Sequence, residues 1–150
     1  MRYATHIAVT VLPLLIAGCT TTLPPGTEYQ VVREVEGVSA DEIYERSLTW
    51  MAETFVSAND AIQVRDDENN RLVTNAEILV PDHPASSEMS IIVEARDGRL
   101  RFTARNFRLS AMGMRERISE ELYENLKPEL KARADRLQRY IRGETEDTDW

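Results

Sequence analysis

Two periodicities run through residues 28–142, and each predicts a different kind of element. Alternation of apolar and polar side chains is typical of a strand with one buried face, and it recurs in five stretches. These stretches are 29–35, 61–65, 71–80, 89–96 and 99–109. Apolar residues spaced three or four apart instead predict amphipathic helices over about 40–56 and 115–142. The predicted order is β-α-β-β-β-β-α.

The best-defined pair of predicted strands flanks the dipeptide Asp97-Gly98, which is typical of a two-residue hairpin turn. A turn at this point places Val93 opposite Phe102 on one face of the hairpin and Glu94 opposite Arg101 on the other. One face is then apolar, and the other carries a pair of opposite charges that stabilises the pairing.

The ends of the two helices are marked by capping and breaking residues. Ser39 and Glu42 match a capping box, so the first helix should begin just after Ser39. In the second helix, Pro128 predicts a kink or the start of a new helix, and Gly143 predicts the end. Residues 110–114 have the pattern of a mobile connection. We therefore predict an α+β domain over 28–142, an antiparallel sheet with two helices packed on one face.

The first 18 residues have the order of an export signal, with a basic residue, about ten mostly apolar residues and then small ones. The apolar run is shorter than the about 20 residues that span a bilayer. The sequence Leu15-Ile16-Ala17-Gly18-Cys19 resembles the lipobox of bacterial lipoproteins. In those proteins the chain is cut before the cysteine, and diacylglycerol is attached to its sulfur. The alternative is an ordinary signal peptide, or a lone core cysteine.

Lipid attachment at Cys19 predicts a membrane as the first partner, because two or more acyl chains hold a protein stably on a bilayer. The residue after the cysteine is Thr20 rather than an aspartate. By resemblance to lipoproteins of double-membraned bacteria, this favours the inner, periplasmic face of the outer membrane. Residues 19–27 predict a short, stiff, lipidated tether. Cys19 is the only cysteine, so the domain contains no intramolecular disulfide.

The net charge is −8, and the charges are unevenly distributed. Residues 19–98 carry 5 basic and 16 acidic side chains, whereas residues 99–142 carry 12 basic and 6 acidic ones. A nucleic-acid-binding protein normally presents a dominant basic face, so nucleic acid is not a predicted partner. The composition of residues 143–150 predicts an acidic disordered tail.

Four segments resemble an uncharacterised bacterial family described as having a fold like the TATA-box-binding protein (TBP). They are GVSADEIY at 37–44, WMAETFVSANDAIQ at 50–63, MSIIVEARDGR at 89–99 and NFR at 106–108. The resemblance covers roughly residues 30–140 and implies a TBP-like fold. The family has no established activity, so the resemblance implies no site residue, and the fold implies no DNA binding. Glycines that members often carry after the second strand are missing from 72–76 of this chain.

Two sets of side chains are candidates for binding. Arg99, Arg101 and Arg105 share one face of the last predicted strand and predict a site for an anion or a lipid headgroup. The alternative is a solvated row that pairs with acids such as Glu94. Ile43 and Trp50 lie seven positions apart on the flank of the first helix and predict a partner surface. Their alternative is a boundary contact beneath the second helix.

His83 is the only histidine after residue 18. Together with Asp82 and either Ser86 or Ser87, it supplies the residue types of a hydrolase triad. Neighbours in one proline-flanked loop rarely reach the geometry that a triad requires, so no catalytic residue is predicted.

An acidic turn gives a partial match to a calcium-binding loop. Asp66, Glu68 and Asn70 alternate, and Glu77 falls where such a loop places its bidentate acid. Arg71 stands where the loop requires glycine, so no metal or cofactor is predicted.

The sequence favours a non-enzymatic, membrane-anchored binding or accessory module of the cell envelope, with an envelope protein of unknown identity as its partner. The alternative function is a binder of a small anionic ligand or lipid headgroup on the arginine-bearing sheet face. A hydrolase that uses the His83 loop ranks third.

Overall fold

A computed structural model describes residues 22–55, 62–111 and 114–144. The predicted signal segment, Cys19, Thr20, the first helix's predicted end at 56 and most of the predicted acidic tail lie outside the described residues. Among the described residues, no helix is both long enough and apolar enough to cross a membrane.

The described chain forms six strands and two helices, which confirms the predicted α+β class. The helices are α1 (Ala40–Thr54) and α2 (Glu120–Ile141). The strands are β1 (Glu28–Glu34), β2 (Ile62–Asp66), β3 (Arg71–Leu79), β4 (Ser86–Arg96), β5 (Arg99–Ala111) and β6 (Met114–Arg117).

All neighbouring strands of the sheet run antiparallel, in the order β1-β5-β4-β3-β2, and β6 also pairs with β5. The predicted hairpin is confirmed residue by residue, because Val93 pairs with Phe102 and Glu94 pairs with Arg101. Gly98 in its turn has a φ of 72°, a left-handed conformation that glycine adopts without steric cost.

Both helices pack on the same face of the sheet, as predicted. Helix α1 contacts β3, β4 and β5, whereas α2 contacts β1, β5 and α1. The apolar face of the sheet and the apolar stripe of α2 form one core, because neither could exclude water alone. The buried residues of α2 are Tyr123, Leu126, Leu130, Ala134, Leu137 and Ile141.

The start of the second helix differs from the prediction. Residues 114–117 form β6 instead of a connection and a first helical turn, and α2 begins only at Glu120. The Ser119 side chain caps the helix by accepting a hydrogen bond of 3.2 Å from the Leu122 N–H. Ile118 is fully buried in the link between β6 and α2, so its apolar character did not indicate a helical position.

The structure differs from the sequence prediction at two further points. Strand β4 begins at Ser86 rather than at residue 89, because Ser86 and Ser87 pair with Leu79 and Ile78 although they lack an apolar signature. Pro128 does not start a new helix, since α2 is continuous around it. The proline side chain is exposed, and the packing of Leu126 and Leu130 on either side offsets the roughly 3 kcal/mol that an internal proline costs.

Polar contacts tie the helical layer to the sheet. Arg33 of β1 makes an ion pair of 2.7 Å with Asp135 of α2. Hydrogen bonds from Lys131 and Arg33 hold the pKa of Asp135 below its usual range, although partial burial opposes them. Burial and a hydrogen bond to Asp67 raise the pKa of Tyr44 in α1 to about 12. These contacts fix α1 and α2 against particular strands.

A pair of leucines tests how strongly the core depends on α2. Leu130 is fully buried in α2, whereas Leu79 at the end of β3 is 77% exposed. We expect Leu130→Ala to lower the free energy of unfolding by about 2–5 kcal/mol, because it leaves a cavity in the core. Leu79→Ala is the matched control and should change it by about 0.5 kcal/mol or less. Urea unfolding followed by circular dichroism measures both values, and equal losses would contradict the packing described.

Candidate functional site

The candidate site lies where one edge of β5 passes from one partner strand to another. Residues Arg99 to Arg105 of β5 pair with β1, and residues Arg108 to Ala111 pair with β6. Strands β1 and β6 therefore lie end to end along the same edge. Between them, Asn106 and Phe107 of β5 have no strand partner on that side within the described chain.

A β-bulge in β5 marks the same point. The register between β4 and β5 shifts between Glu88 and Ser90, and Asn106 has a φ of 60°. The extra residue changes the phase of the strand, so that Phe107 points into the core that Ala104 also faces. Phe107 then packs edge-on against Tyr123 of α2, with 5.0 Å between ring centroids.

The segment before β1 covers the gap between the two strands. Thr22 forms a β-bridge with Ser119, and the Leu23 N–H donates a 3.0 Å hydrogen bond to the Ile118 carbonyl. Leu23 is buried, and Thr27 closes a turn by donating to the Pro24 carbonyl. Residues 22–27 are therefore docked on the domain, whereas the sequence predicted residues 19–27 to be a tether outside it.

These elements enclose an open cleft of about 890 Å³. Residues 23–27 form one wall, and parts of β3, β4, β5 and β6 form the rest. Behind the wall, the Tyr123 hydroxyl donates to the Glu28 carbonyl at 3.1 Å, and burial raises the pKa of Tyr123. The Tyr123 hydroxyl holds the start of β1 next to this wall, and Leu23 packs the wall itself into the core, so the cleft is part of the fold.

The charges in the cleft form one row across four strands. Glu77 pairs across strands with Glu88, while Arg108 pairs with both Glu88 and Arg117. Glu88 forms an ion pair of 3.0 Å with Arg115, and the Glu77 carboxylate accepts a hydrogen bond from the Ser86 hydroxyl. Within the described residues, the side chains of Arg108 and Arg117 make no hydrogen bond or ion pair. The row thus ends in two neighbouring guanidinium groups that are free to bind an anion.

Amide and hydroxyl groups line the row next to these charges. The Asn106 side chain donates to Ser90 at 3.3 Å, and the Ser90 hydroxyl lies 3.5 Å from the Asn75 oxygen. Side chains of this kind bind polar ligands by hydrogen bonding. The arrangement therefore fits the binding of a polar, charged group.

The predicted arginine row has the expected geometry but not the expected free charge. Arg99, Arg101 and Arg105 do share the sheet face that points away from the helices. However, Arg101 makes an ion pair of 2.7 Å with Glu94, and Arg105 lies 3.9 Å from Glu28. Cross-strand acids thus offset Arg101 and Arg105, as the solvated-row alternative implied, whereas Arg99 lies between Glu34 of β1 and Arg96 of β4.

The predicted helix-flank surface does not form. Ile43 is fully buried and Trp50 keeps only 7% of its exposure, so neither side chain is available to a partner. Trp50 packs edge-on against Phe55, with ring centroids 6.1 Å apart, and borders a small cleft with Tyr140 of α2. Both residues serve the boundary between α1 and the core, because α2 covers the flank that the sequence suggested was open.

The residues of the third-ranked hydrolase are not joined into a triad. The His83 Nδ1 accepts a hydrogen bond from the Ala85 N–H, and the Ser86 hydroxyl donates to Glu77. The Ser87 hydroxyl is buried without a hydrogen-bond partner in the described structure. No hydrogen bond among the described residues links His83 to either serine.

The partial calcium-loop pattern is also separated in space. Asp66 accepts hydrogen bonds from Asn69 at the turn, and Asn70 donates to Asp41. Glu77 lies six residues along the extended strand β3 from Arg71, a distance of about 20 Å. Glu77 therefore cannot join the turn residues around one ion, and no group of metal-ligating side chains occurs among the described residues.

The two arginines at the end of the charge row were missed in the sequence. Arg108 was visible in the NFR segment, but its partner Arg117 lay in a stretch predicted as helix. The pair becomes recognisable only when β6 is known, because cross-strand register brings residues nine positions apart to the same point.

The comparisons with known proteins agree with this architecture. A family model described as a domain of unknown function (DUF4468) with TBP-like fold matches residues 29–110, more than half of the chain. No curated protein matches the chain.

Two solved structures have similar folds. A TBP-like protein from Parabacteroides distasonis ATCC 8503 has a TM-score of 0.59 and 12% identity, over 79% of this chain and 94% of that one. A DUF4468 family protein from Bacteroides ovatus ATCC 8483 has a TM-score of 0.57 and 12% identity, over 82% and 89%. These matches confirm the predicted TBP-like fold, and at such low identity they bear on the fold alone.

The bulge that shapes the cleft can be tested at Asn106. Asn106→Gly and Asn106→Val both remove the hydrogen bond to Ser90, but only glycine adopts a φ of 60° without strain. We expect the valine variant to be less stable than the glycine variant by about 1–2 kcal/mol in urea unfolding. Equal stabilities would show that the left-handed conformation is not required there.

Proposed function

The chain belongs to the family of domains of unknown function (DUF4468) with TBP-like fold, and from this premise we propose a non-enzymatic binding module anchored to a membrane of the cell envelope. In this proposal Cys19 carries the lipid. The module engages an envelope protein through the open face of the sheet, and the helices only support that face. The lipobox sequence 15–19 supports the anchor.

One observation carries the assignment of the open face. Val73 and Val64 are cross-strand neighbours on the side of the sheet away from the helices, and they continue an apolar row that begins at Ile92, itself only 5% exposed. Val64 at the end of the row is 45% exposed, and Val32 on β1 is 48% exposed. Because an apolar centre with a polar rim is typical of protein interfaces, this face suits a protein partner.

The charges beside the apolar row add specificity. Arg101, Glu94, Arg71 and Asp66 follow one another across β5, β4, β3 and β2 with alternating sign. Alternating charges favour one register of a complementary surface and disfavour others. The burial of Ile43 and Trp50 directs the proposal to this face rather than to the helix flank.

The anchor is tested by labelling cells with an alkyne analogue of palmitate. We expect the wild-type protein to incorporate the label and to fractionate with the outer membrane, and Cys19→Ser to lose both properties because its hydroxyl cannot form the thioether. Thr20→Asp is the control, since it should keep the label and change only the membrane. Label retained in Cys19→Ser would refute the anchor.

The partner surface is tested by site-specific photo-crosslinking in intact cells. A photoreactive residue at Val32 or Val64 should capture the same protein, whereas one at Thr49 on the exposed side of α1 should capture none. The double exchange Arg101→Glu with Glu94→Arg keeps the ion pair but reverses the charge pattern, so it should abolish capture. Capture from Thr49 alone, or capture indifferent to the exchange, would contradict the proposal.

A further inference from the structure

Arg108 and Arg117 form a like-charged cross-strand pair. They are direct partners in the pairing of β5 with β6, and both are exposed. Like charges directly opposite each other in a sheet repel, so such pairs normally have acidic neighbours that offset the repulsion. Glu88 lies opposite Arg108 on β4, but its carboxylate is engaged by Arg115. The side chains of Arg108 and Arg117 make no ion pair with any described residue.

The arginine pair lies close to the N-terminal segment that is docked on the domain. Arg117 precedes Ile118, whose carbonyl accepts the hydrogen bond from Leu23, and both arginines line the cleft that residues 23–27 close. Thr22 is already docked through its bridge to Ser119. Only Thr20 and Thr21 separate Thr22 from Cys19, and these three steps along the chain can span at most about 10 Å. A lipid on Cys19 would therefore bring headgroups next to this end of the cleft.

We propose that Arg108 and Arg117 together bind the phosphate of an anionic lipid headgroup in the membrane that anchors Cys19. This inference rests on the proposed lipid anchor. Guanidinium groups bind phosphate oxygens in a bidentate manner, and two of them side by side can hold one phosphate between neighbouring strands. The bound phosphate removes the repulsion between the two arginines, so binding and strand pairing stabilise each other.

The acidic half of the row limits what the site accepts. Glu88 is held by Arg115 and Glu77 by Ser86, so the two carboxylates stay beside the arginines. They repel extended polyanions but leave room for a single phosphate at the β6 end. The site therefore suits one headgroup rather than a nucleic acid.

The same sheet provides a matched control. Arg96 and Arg99 are also direct cross-strand partners, at the opposite end of β5. Arg99 lies nine residues from Arg108, about 30 Å along the strand, and Glu34 and Glu36 line the neighbouring surface. Removing Arg96 and Arg99 changes the net charge equally without touching the proposed site.

The test is hydrogen–deuterium exchange of the full mature, lipidated protein in vesicles. The vesicles contain phosphatidylcholine alone, phosphatidylcholine with phosphatidylglycerol, or phosphatidylcholine with soluble glycerol phosphate. An arginine near an anionic surface contributes about fivefold to association, so exchange in β6 should slow by up to about thirtyfold with phosphatidylglycerol. Arg108→Ser with Arg117→Ser should abolish the slowing, and Arg96→Ser with Arg99→Ser should retain it. Unchanged exchange in α2 verifies that each variant is folded.

The outcomes separate the sources of the phosphate and the two proposals. Slowing by glycerol phosphate in neutral vesicles would replace the lipid with a soluble phosphate ligand. No slowing in any arm, or slowing that survives loss of Arg108 and Arg117, would overturn the site while leaving the anchor intact. If mass spectrometry of the mature protein shows no attached lipid, the anchor is overturned. The arm with soluble glycerol phosphate would still decide whether the two arginines bind phosphate.

Discussion

Strand β5 is the element on which the rest of the structure depends, because its two edges pair with three other strands. Strand β4 follows it along one edge, whereas β1 and β6 share the other. A regular strand would keep its side-chain phase throughout, and Phe107 would then face away from the helices. The bulge at Asn106 turns Phe107 back onto Tyr123, and it separates β1 from β6. One inserted residue thus serves both the core and the cleft.

Most of the fold was predictable from periodicity, and the failures have a common physical cause. Where one face is buried, as in β5 before the bulge, alternation identifies the strand and the Asp97-Gly98 turn fixes its register. Strand β6 has all four side chains exposed, so no burial pattern marks it. Ser87 is buried in β4 although serine carries little apolar signal. Elements that depend on pairing rather than on burial are invisible to a hydrophobic pattern.

The candidate site was less predictable, because its chemistry depends on neighbours across strands. Alternation correctly placed Arg101 and Arg105 on one face, and the Asp97-Gly98 turn indicated Glu94 opposite Arg101. The acid opposite Arg105 is Glu28, which only the pairing of β1 with β5 reveals. The same limit hid the pairing of Arg108 with Arg117. Whether a charged side chain has an ion-pair partner is therefore a property of the assembled sheet.

The partner surface on α1 failed for a related reason. Periodicity identified a buried stripe on α1 but not its width, and the packing of α2 extended that stripe to Trp50.

Docking of the N-terminal segment changes what a lipid anchor at Cys19 would do. A flexible tether lets a domain rotate freely above a bilayer, so each orientation is sparsely populated. A segment fixed to the domain from Thr22 onwards instead leaves a short linker and a restricted set of orientations. Under that restriction the local concentration of headgroups near β6 is high, and even a weak phosphate contact would be well populated. The arginine pair then needs only modest affinity to determine which way the open sheet face points.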